Sequence, residues 1–547
     1  MRALGLAVAL VACGDDAVTP PTHAVVLERV ARTENLAGCA FASPVVAGSL
    51  VVVATGQGIV TAYSLDGEVR WQIQLAAVTP GDRAWIAATP VAVAGQLVVV
   101  WQDTGAGDER HAHHAAVLDA ATGAIDTRYP TVTFAAQKPA FGGGTVTFSN
   151  ATAFSRSKIV ASGNLIYVSF GNIQDIQPWH GWVFELDLDQ WRTGGAAAAI
   201  TASLLTTPEA DCGPPGESGA DDMICGGGVW APSGPTLVDT GGAFELWIPT
   251  GNGQLDIGRG DFANTIMRTG RGLAFDPGCD ARCDAFDPID PDRGCLDSCA
   301  NAFMPRLGEG DPPLAPPPGF CEGKTFLECY ARLDLDLGAD SPALVEAHGR
   351  RLAVLPAKDG AVYLFDAAHF GTMFDRLLVR DFCGTGGGTC TANWAGTMVT
   401  QPLIVEVDGA PLAVIPTFYF DDTNPAGVLG IEILEGATGP TLRERWSAPP
   451  RDDPEAVTRF REHTGRAAEV EVGGLPYVVI ADPGAARSKS GILYAIDPRT
   501  GLIADRGALD GPGHKYIEPA VVGNRVFVTS CEEVMTGPTH LEVWDVR

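Results

Sequence analysis

The chain has 547 residues, 46% hydrophobic and 19% charged, and a net charge of −29. That apolar content excludes a disordered chain, and so acidic a balance excludes nucleic acid as a partner, because no basic face is available to displace phosphate counterions. The 66 glycines and 39 prolines imply many turns and few long helices.

The first segment reads as an export signal. Arg2 supplies one positive charge, and Leu4 to Val11 form an apolar core too short to span a bilayer. Leu10-Val11-Ala12-Cys13 resembles a bacterial lipobox. The resemblance implies removal of residues 1–12 as a signal peptide, lipidation of Cys13, and an exported lipoprotein anchored to a membrane. Each buried acyl CH₂ would contribute about 0.8 kcal/mol. Gly14 stands where Asp would imply retention at the inner membrane, so the expected address is the outer membrane, on its periplasmic or surface face. Residues 13–38 then read as a lipid-anchored linker, with the tether running from Gly14 to about Asn35. Residues 39–547 read as the folded body. No later run is long enough to cross a membrane.

One unit recurs through that body: an apolar run, a Gly turn, a strand, a variable loop, and a second strand ending in Asp. Copy one spans Ala42 to Trp71, copy two Ala88 to Ile125, copy three Lys158 to Trp191, and copy four Trp230 to Gly278. Copy five spans Leu335 to Asp366, copy six Gln401 to Gly439, copy seven the stretch AAEVEVGGLPYVVIAD to Gly501, and copy eight Glu518 to the C-terminus. Short β-prone runs broken by Gly and Asp turns read as antiparallel strands. One such unit cannot bury both its faces, so it needs copies beside it. A ring of four-stranded blades does this and leaves only short edges. The expected fold is all-β, an eight-bladed propeller. Long units, uneven loops and period-two strand pairs weigh against a sandwich pair or a solenoid. His111, His113 and His114 read as a solvated loop ahead of a strand.

Two stretches interrupt the repeat, 202–227 and 278–333, and both flank copy four. They are expected to cap one mouth of the ring. The acidic run from Asp287 to Gly294 has irregular ligand spacing and reads as a solvated Asp-Pro turn rather than a calcium loop. Thirteen cysteines, less Cys13, leave twelve, an even number that suits an oxidising compartment. Proximity suggests Cys212–Cys225 and Cys383–Cys390. Cys279, Cys283, Cys295 and Cys299 form a C-x3-C, x11, C-x3-C array that suits a disulfide-linked helical hairpin, because residues four apart share a helix face. The array has no nearby His to favour zinc. In a closed ring the first and last blades are neighbours, so a Cys39–Cys531 bridge would staple the closure and contribute about 4–5 kcal/mol by loop entropy.

The repeat P-V-V-x-G-x-L-V-x-V … G-x-x-x-A-x-D-x-x-T-G resembles that of the pyrroloquinoline quinone (PQQ) enzymes. These are the eight-bladed quinoprotein alcohol dehydrogenases, with the polyvinyl alcohol dehydrogenase type nearest in style. The resemblance runs from about Ala42 to Arg547, outside the two insertions. It implies PQQ and calcium as cofactors and a small alcohol as substrate. Asp336, ahead of Ser341-Pro342, sits where the family has its general base. Lys358 in Lys-Asp-Gly-Ala-Val-Tyr is similar to the family's cation on the quinone oxygens. Gly226-Gly227-Gly228-Val229-Trp230 resembles the lead into the tryptophan that stacks under the cofactor. Thr250-Gly251-Asn252 matches the segment whose amide oxygen binds calcium, and Asn172-Ile173-Gln174-Asp175 falls near the family's calcium-binding glutamate, with Asp175 ahead of Gln174 as its substitute. The implied metal ligands are thus Asp175, Asn252 and Asp336. The chain departs from the pattern in having Gln177-Pro178-Trp179-His180 where adjacent cysteines are common, and Leu337 in place of an aromatic. No set of cations for the three carboxylates of PQQ stands out. Non-catalytic propellers share the repeat, so the alternative is a binding or assembly scaffold at the outer membrane, with an unspecified protein partner.

Overall fold

The computed structural model describes residues 25–140, 143–173, 176–208, 212, 225–287, 292–306, 330, 335–379, 398–418, 426–484, 490–533 and 536–547. Eight antiparallel sheets form the blades of a propeller. Blade 1 is built from Val45–Ala47, Leu50–Ala54, Ile59–Ser64 and Val69–Gln74, from the innermost strand outward. Blades 5, 6 and 7 repeat that order without interruption. Each sheet is covered on both faces by its neighbours, so the second strands read as unbroken apolar runs. Leu352-Ala353-Val354-Leu355 is fully buried, and so is Val51-Val52-Val53.

The ring closes in the last blade. Its own strands are Ala520–Val522, Arg525–Glu533 and Thr536–Val546, and its outermost strand is Leu27–Arg32 from the N-terminus. That segment read as tether, which the structure corrects: Leu27 pairs with Val546 and Arg32 with Glu542. Its partner lies more than 500 residues away, so nothing local marked Leu27-Glu28-Arg29-Val30 as a strand. Beside it Cys39 is bonded to Cys531, with Cα atoms 5.5 Å apart.

The Asp-x-x-Thr-Gly element of the repeat has a packing role. Asp119 caps its own turn by accepting from Thr122 N at 2.9 Å, and Gly123 takes φ 72°. The indole of Trp71, from blade 1, lies on Gly123 and donates to Ala120 O at 3.1 Å. The same dock recurs where Trp446 of blade 6 meets Asp497–Gly501 of blade 7 and donates to Pro498 O at 2.8 Å. A Cβ on Gly501 would lie 2.6 Å from the Trp446 ring, and φ there is 74°, so glycine is required twice over.

The insertions are shorter than expected. Ile200–Leu205 is the outermost strand of blade 3, and Ala302–Phe303 is that of blade 4. Between them the array pairs as Cys279–Cys299 and Cys283–Cys295, tying a 3₁₀ turn at Ala281–Ala285 to a helix at Arg293–Ser298. Cys212 is bonded to Cys225. Cys13, Cys383 and Cys390 lie outside the described residues. The three histidines also differ from expectation. They belong to the strand Arg110–Asp119, and His113 and His114 are buried against Asn150 and Asp103. Among the described residues no helix is long and apolar enough to cross a membrane.

Candidate functional site at the ring mouth

Lys358 stands at the tip of the hairpin between Arg350–Pro356 and Ala361–Asp366. Asp359 beside it is locked by Tyr363 Oη, which donates at 2.7 Å, and by Arg376 at 3.0 Å. That buried pair fixes the turn that carries the lysine. Burial and the Asp359 carboxylate together push the Tyr363 phenol far above its ordinary range, so it stays a donor.

Lys358 Nζ donates to Asp336 Oδ2 at 2.9 Å, and both side chains are at most 4% exposed. Asp336 begins the 3₁₀ turn Leu337–Ala339, yet its carboxylate caps none of that turn's amides. Its second oxygen, Oδ1, is buried without a hydrogen-bond partner among the described residues. Burying a carboxylate with one idle oxygen is costly, so this atom is the acceptor a ligand would use.

Trp230 is positioned by glycines. Gly171 packs under its Cβ, and Gly251 lies against its indole nitrogen. The Lys358 ammonium sits 5.0 Å from the indole centroid. Gly251 also abuts Gly338, so the Thr250-Gly251-Asn252 segment touches the turn that carries Asp336. Gly227 N donates to Asn252 O at 2.6 Å, which ties in the glycine-rich lead. Asp336, Lys358, Trp230 and the Asn252 segment are therefore brought together. Asp175 lies outside the described residues.

The cations that sequence reasoning missed come from blades 3 and 8. The Arg156 guanidinium lies 4.8 Å over Tyr516, and the Lys515 ammonium lies 5.3 Å from the same ring. Tyr516 in turn meets Trp230 edge-on at 6.4 Å. Among the described residues no carboxylate pairs with Arg156, and burial holds its pKa down. Lys515 is brought down to about 8, by burial first and then by repulsion from Arg156 and Lys358. Lys515 is thus repelled by both of the other cations, and the three lie around two aromatic faces. Arg156 and Lys515 stand more than 350 residues apart in the chain, so no local motif joins them.

One further carboxyl was unforeseen. Asp340 is fully buried and accepts from Thr400 N at 2.9 Å. Burial first, then repulsion from Asp336 and Asp359, raises its pKa well above the carboxylate range.

Residues 27–169 match a PQQ-repeat family model described as outer membrane protein assembly factor BamB. Two quinohemoprotein alcohol dehydrogenases share the architecture over 95% of this chain and 76% of their own. One is from Pseudomonas putida HK5 (TM-score 0.54, 12% identity) and the other from Comamonas testosteroni (TM-score 0.53, 12% identity). The chain is an eight-bladed propeller that shares the fold of these two enzymes. A europium-containing methanol dehydrogenase aligns over 95% of this propeller and 93% of its own chain (TM-score 0.53, 12% identity). At that identity the likeness is one of fold. No curated protein matches the sequence. The match over 27–169 ends before Trp230, Asn252, Asp336 and Lys358, so it reports the repeat and not the site.

Proposed function

We propose that the mouth binds PQQ with a calcium ion and oxidises a small alcohol. The observation that carries this is the buried Asp336–Lys358 pair beside Trp230, with Asp336 Oδ1 open and Arg156 and Lys515 opposite. The donor set fits the cofactor: Arg156 and Lys515 suit its carboxylates, and an indole suits a flat ring. The oxygens of Asn252 and Asp336 suit a hard cation, with Asp175 as the further candidate ligand. When bound, the quinone would supply a two-electron acceptor and calcium a Lewis acid.

The chain's own residues would do the rest. Asp336 Oδ1 accepts the hydroxyl proton of the alcohol. Lys358 holds one oxygen of Asp336 and offers a positive charge where negative charge develops. Arg156 and Lys515 hold the anionic rim, and Trp230 sets its plane. Leu337, Ala339 and Val399 are buried nearby and exclude water.

The test is stoichiometric uptake. The purified chain is incubated with calcium and PQQ, bound quinone is counted after gel filtration, and dye-linked alcohol oxidation is measured. One quinone per chain is expected. Asp336→Asn should keep that quinone and lose at least about 10²-fold in turnover, the usual scale for a general base. Failure to retain quinone overturns the reading. The second reading, a lipid-anchored assembly scaffold, is favoured by the description attached to residues 27–169. In either case Cys13 would carry the anchor at the outer membrane.

A further inference from the structure

A second constellation lies on blade 3, where His180 bridges Gly226 of the glycine-rich lead. His180, Cys212 and Cys225 place their ligand atoms within 4.8 Å of one another. His180 Nε2 is 3.3 Å from Cys212 Sγ. With metal bonds of about 2.3 Å to sulfur and 2.0–2.1 Å to nitrogen, a tetrahedral zinc site has an N···S edge of roughly 3.6 Å. The imidazole already stands near that edge.

The tautomer is set by its neighbours. Thr207 Oγ1 donates its single proton to Gly226 O at 2.9 Å, and His180 Nδ1 lies 3.0 Å from the same oxygen. Nδ1 therefore carries the ring proton and donates it to Thr207. Nε2 is left as a bare lone pair aimed at a disulfide sulfur that has no proton to give. This is the arrangement of a metal-binding histidine with its outer hydrogen bond in place.

The site opens on a cavity of about 390 Å³, lined in part by Ser149, Thr152, Asn172, Trp179, His180 and Cys212. Cys225 is buried and Cys212 is half-exposed on that side. A three-ligand site facing a wet cavity keeps its fourth position for water or an exogenous ligand. The other cysteine cluster, Cys279, Cys283 and Cys299, has no imidazole.

We propose that His180, Cys212 and Cys225 are a latent metal site. Once a dithiol reduces the disulfide, the two thiolates and His180 Nε2 would bind one zinc-class divalent ion with a fourth position open to the cavity. In the reduction the S–S bond takes two electrons and two protons, and the dithiol closes to its own disulfide. Metal binding then releases the two thiol protons, so affinity rises with pH. The site stands apart from the quinone reading and does not depend on it.

Cobalt(II) is the probe, because its thiolate complexes absorb. The full chain is reduced with a water-soluble phosphine, which is oxidised to its oxide, and is then titrated with Co²⁺ under argon. Wild type is expected to bind one equivalent more than Cys212→Ser/Cys225→Ser, with thiolate charge-transfer absorption in the near ultraviolet. Unreduced protein should lack that equivalent. His180→Ala should weaken it at least about tenfold, and His180→Gln, which still reaches Thr207, should weaken it alike. Equal uptake by the double-serine variant overturns the proposal, as does unchanged affinity in both His180 variants. Circular dichroism identifies any variant that has not folded, and the comparison then rests on the other.

Discussion

Blades 2 and 7 meet the blades before them through one chemistry, and blades 4 and 5 meet each other through another. Blades 2 and 7 present an Asp-x-x-Thr-Gly turn, and the preceding blade lays a tryptophan on its glycine. At the seam of blades 4 and 5 the tryptophan is replaced by Arg268. Its guanidinium donates to Ala367 O at 2.7 Å and lies 4.9 Å over Phe370. The disulfide-tied insertion packs behind it, with Gly371 against the carbonyls of Leu296 and Asp297. Trp230, Asn252, Asp336 and Lys358 all sit in this second sector. The regular seams hold the ring with an apolar dock that serves more than one blade pair, which leaves the irregular sector free to carry buried charge.

That contrast can be broken at several points. The largest effect is expected at the ring closure. Cys39→Ser/Cys531→Ser removes a bridge spanning 492 residues and should lower unfolding stability by about 4–5 kcal/mol. A loss under about 1 kcal/mol in urea melts would mean that Leu27–Arg32 closes the ring unaided.

In the irregular sector, Lys358→Met strands the buried Asp336 carboxylate and should cost about 3–5 kcal/mol. Lys358→Met/Asp336→Leu should recover most of that. If the double variant is as unstable as the single, the ion pair is not what the site's stability turns on.

In the regular sector, Gly501→Ala should cost about 1–3 kcal/mol, through overpacking against Trp446 and a left-handed φ. Trp446→Phe on that background should return part of the loss.

The smallest effect is one of pH. Lys515 has a folded pKa of about 8, so it sheds its charge as pH rises through that value. Affinity of the mouth for a tricarboxylate should therefore fall above pH 8, by about tenfold at most for one lost charge, and Lys515→Arg should abolish the step. The same depression means that between pH 8 and the unfolded lysine value the unfolded chain binds more protons, so stability rises with pH there. Isothermal titration at pH 7 and pH 9.5 checks the affinity, and a flat profile for wild type would detach Lys515 from the site.

Much of this architecture could be read from residue order. The apolar runs and Gly turns mark all eight blades because every blade is a local hairpin stack. Asp336, Lys358 and Trp230 carry their turn motifs with them, so their positions in the repeat were legible. Arg156 and Lys515 were not, since each looks like an ordinary surface cation in its own segment. His113 and His114 misread as loop because strand Arg110–Asp119 is longer than its apolar part, Ala115 to Leu118. The outer strands hidden in the insertions, Ile200–Leu205 and Ala302–Phe303, were obscured by the cysteines and prolines that follow or precede them.

Residue order settles the blades, because strand period, turn glycines and tryptophan docks act over a few tens of residues. It also settles the parity that makes Cys39 and Cys531 partners once a ring is assumed. Only the closed ring decides which charges face one another. Convergence on a common axis sets Arg156 of blade 3, Lys358 of blade 5 and Lys515 of blade 8 around two aromatic faces. The burial of Lys515 and its repulsion by the other two, which lower its pKa, exist only when distant segments share one low-dielectric volume.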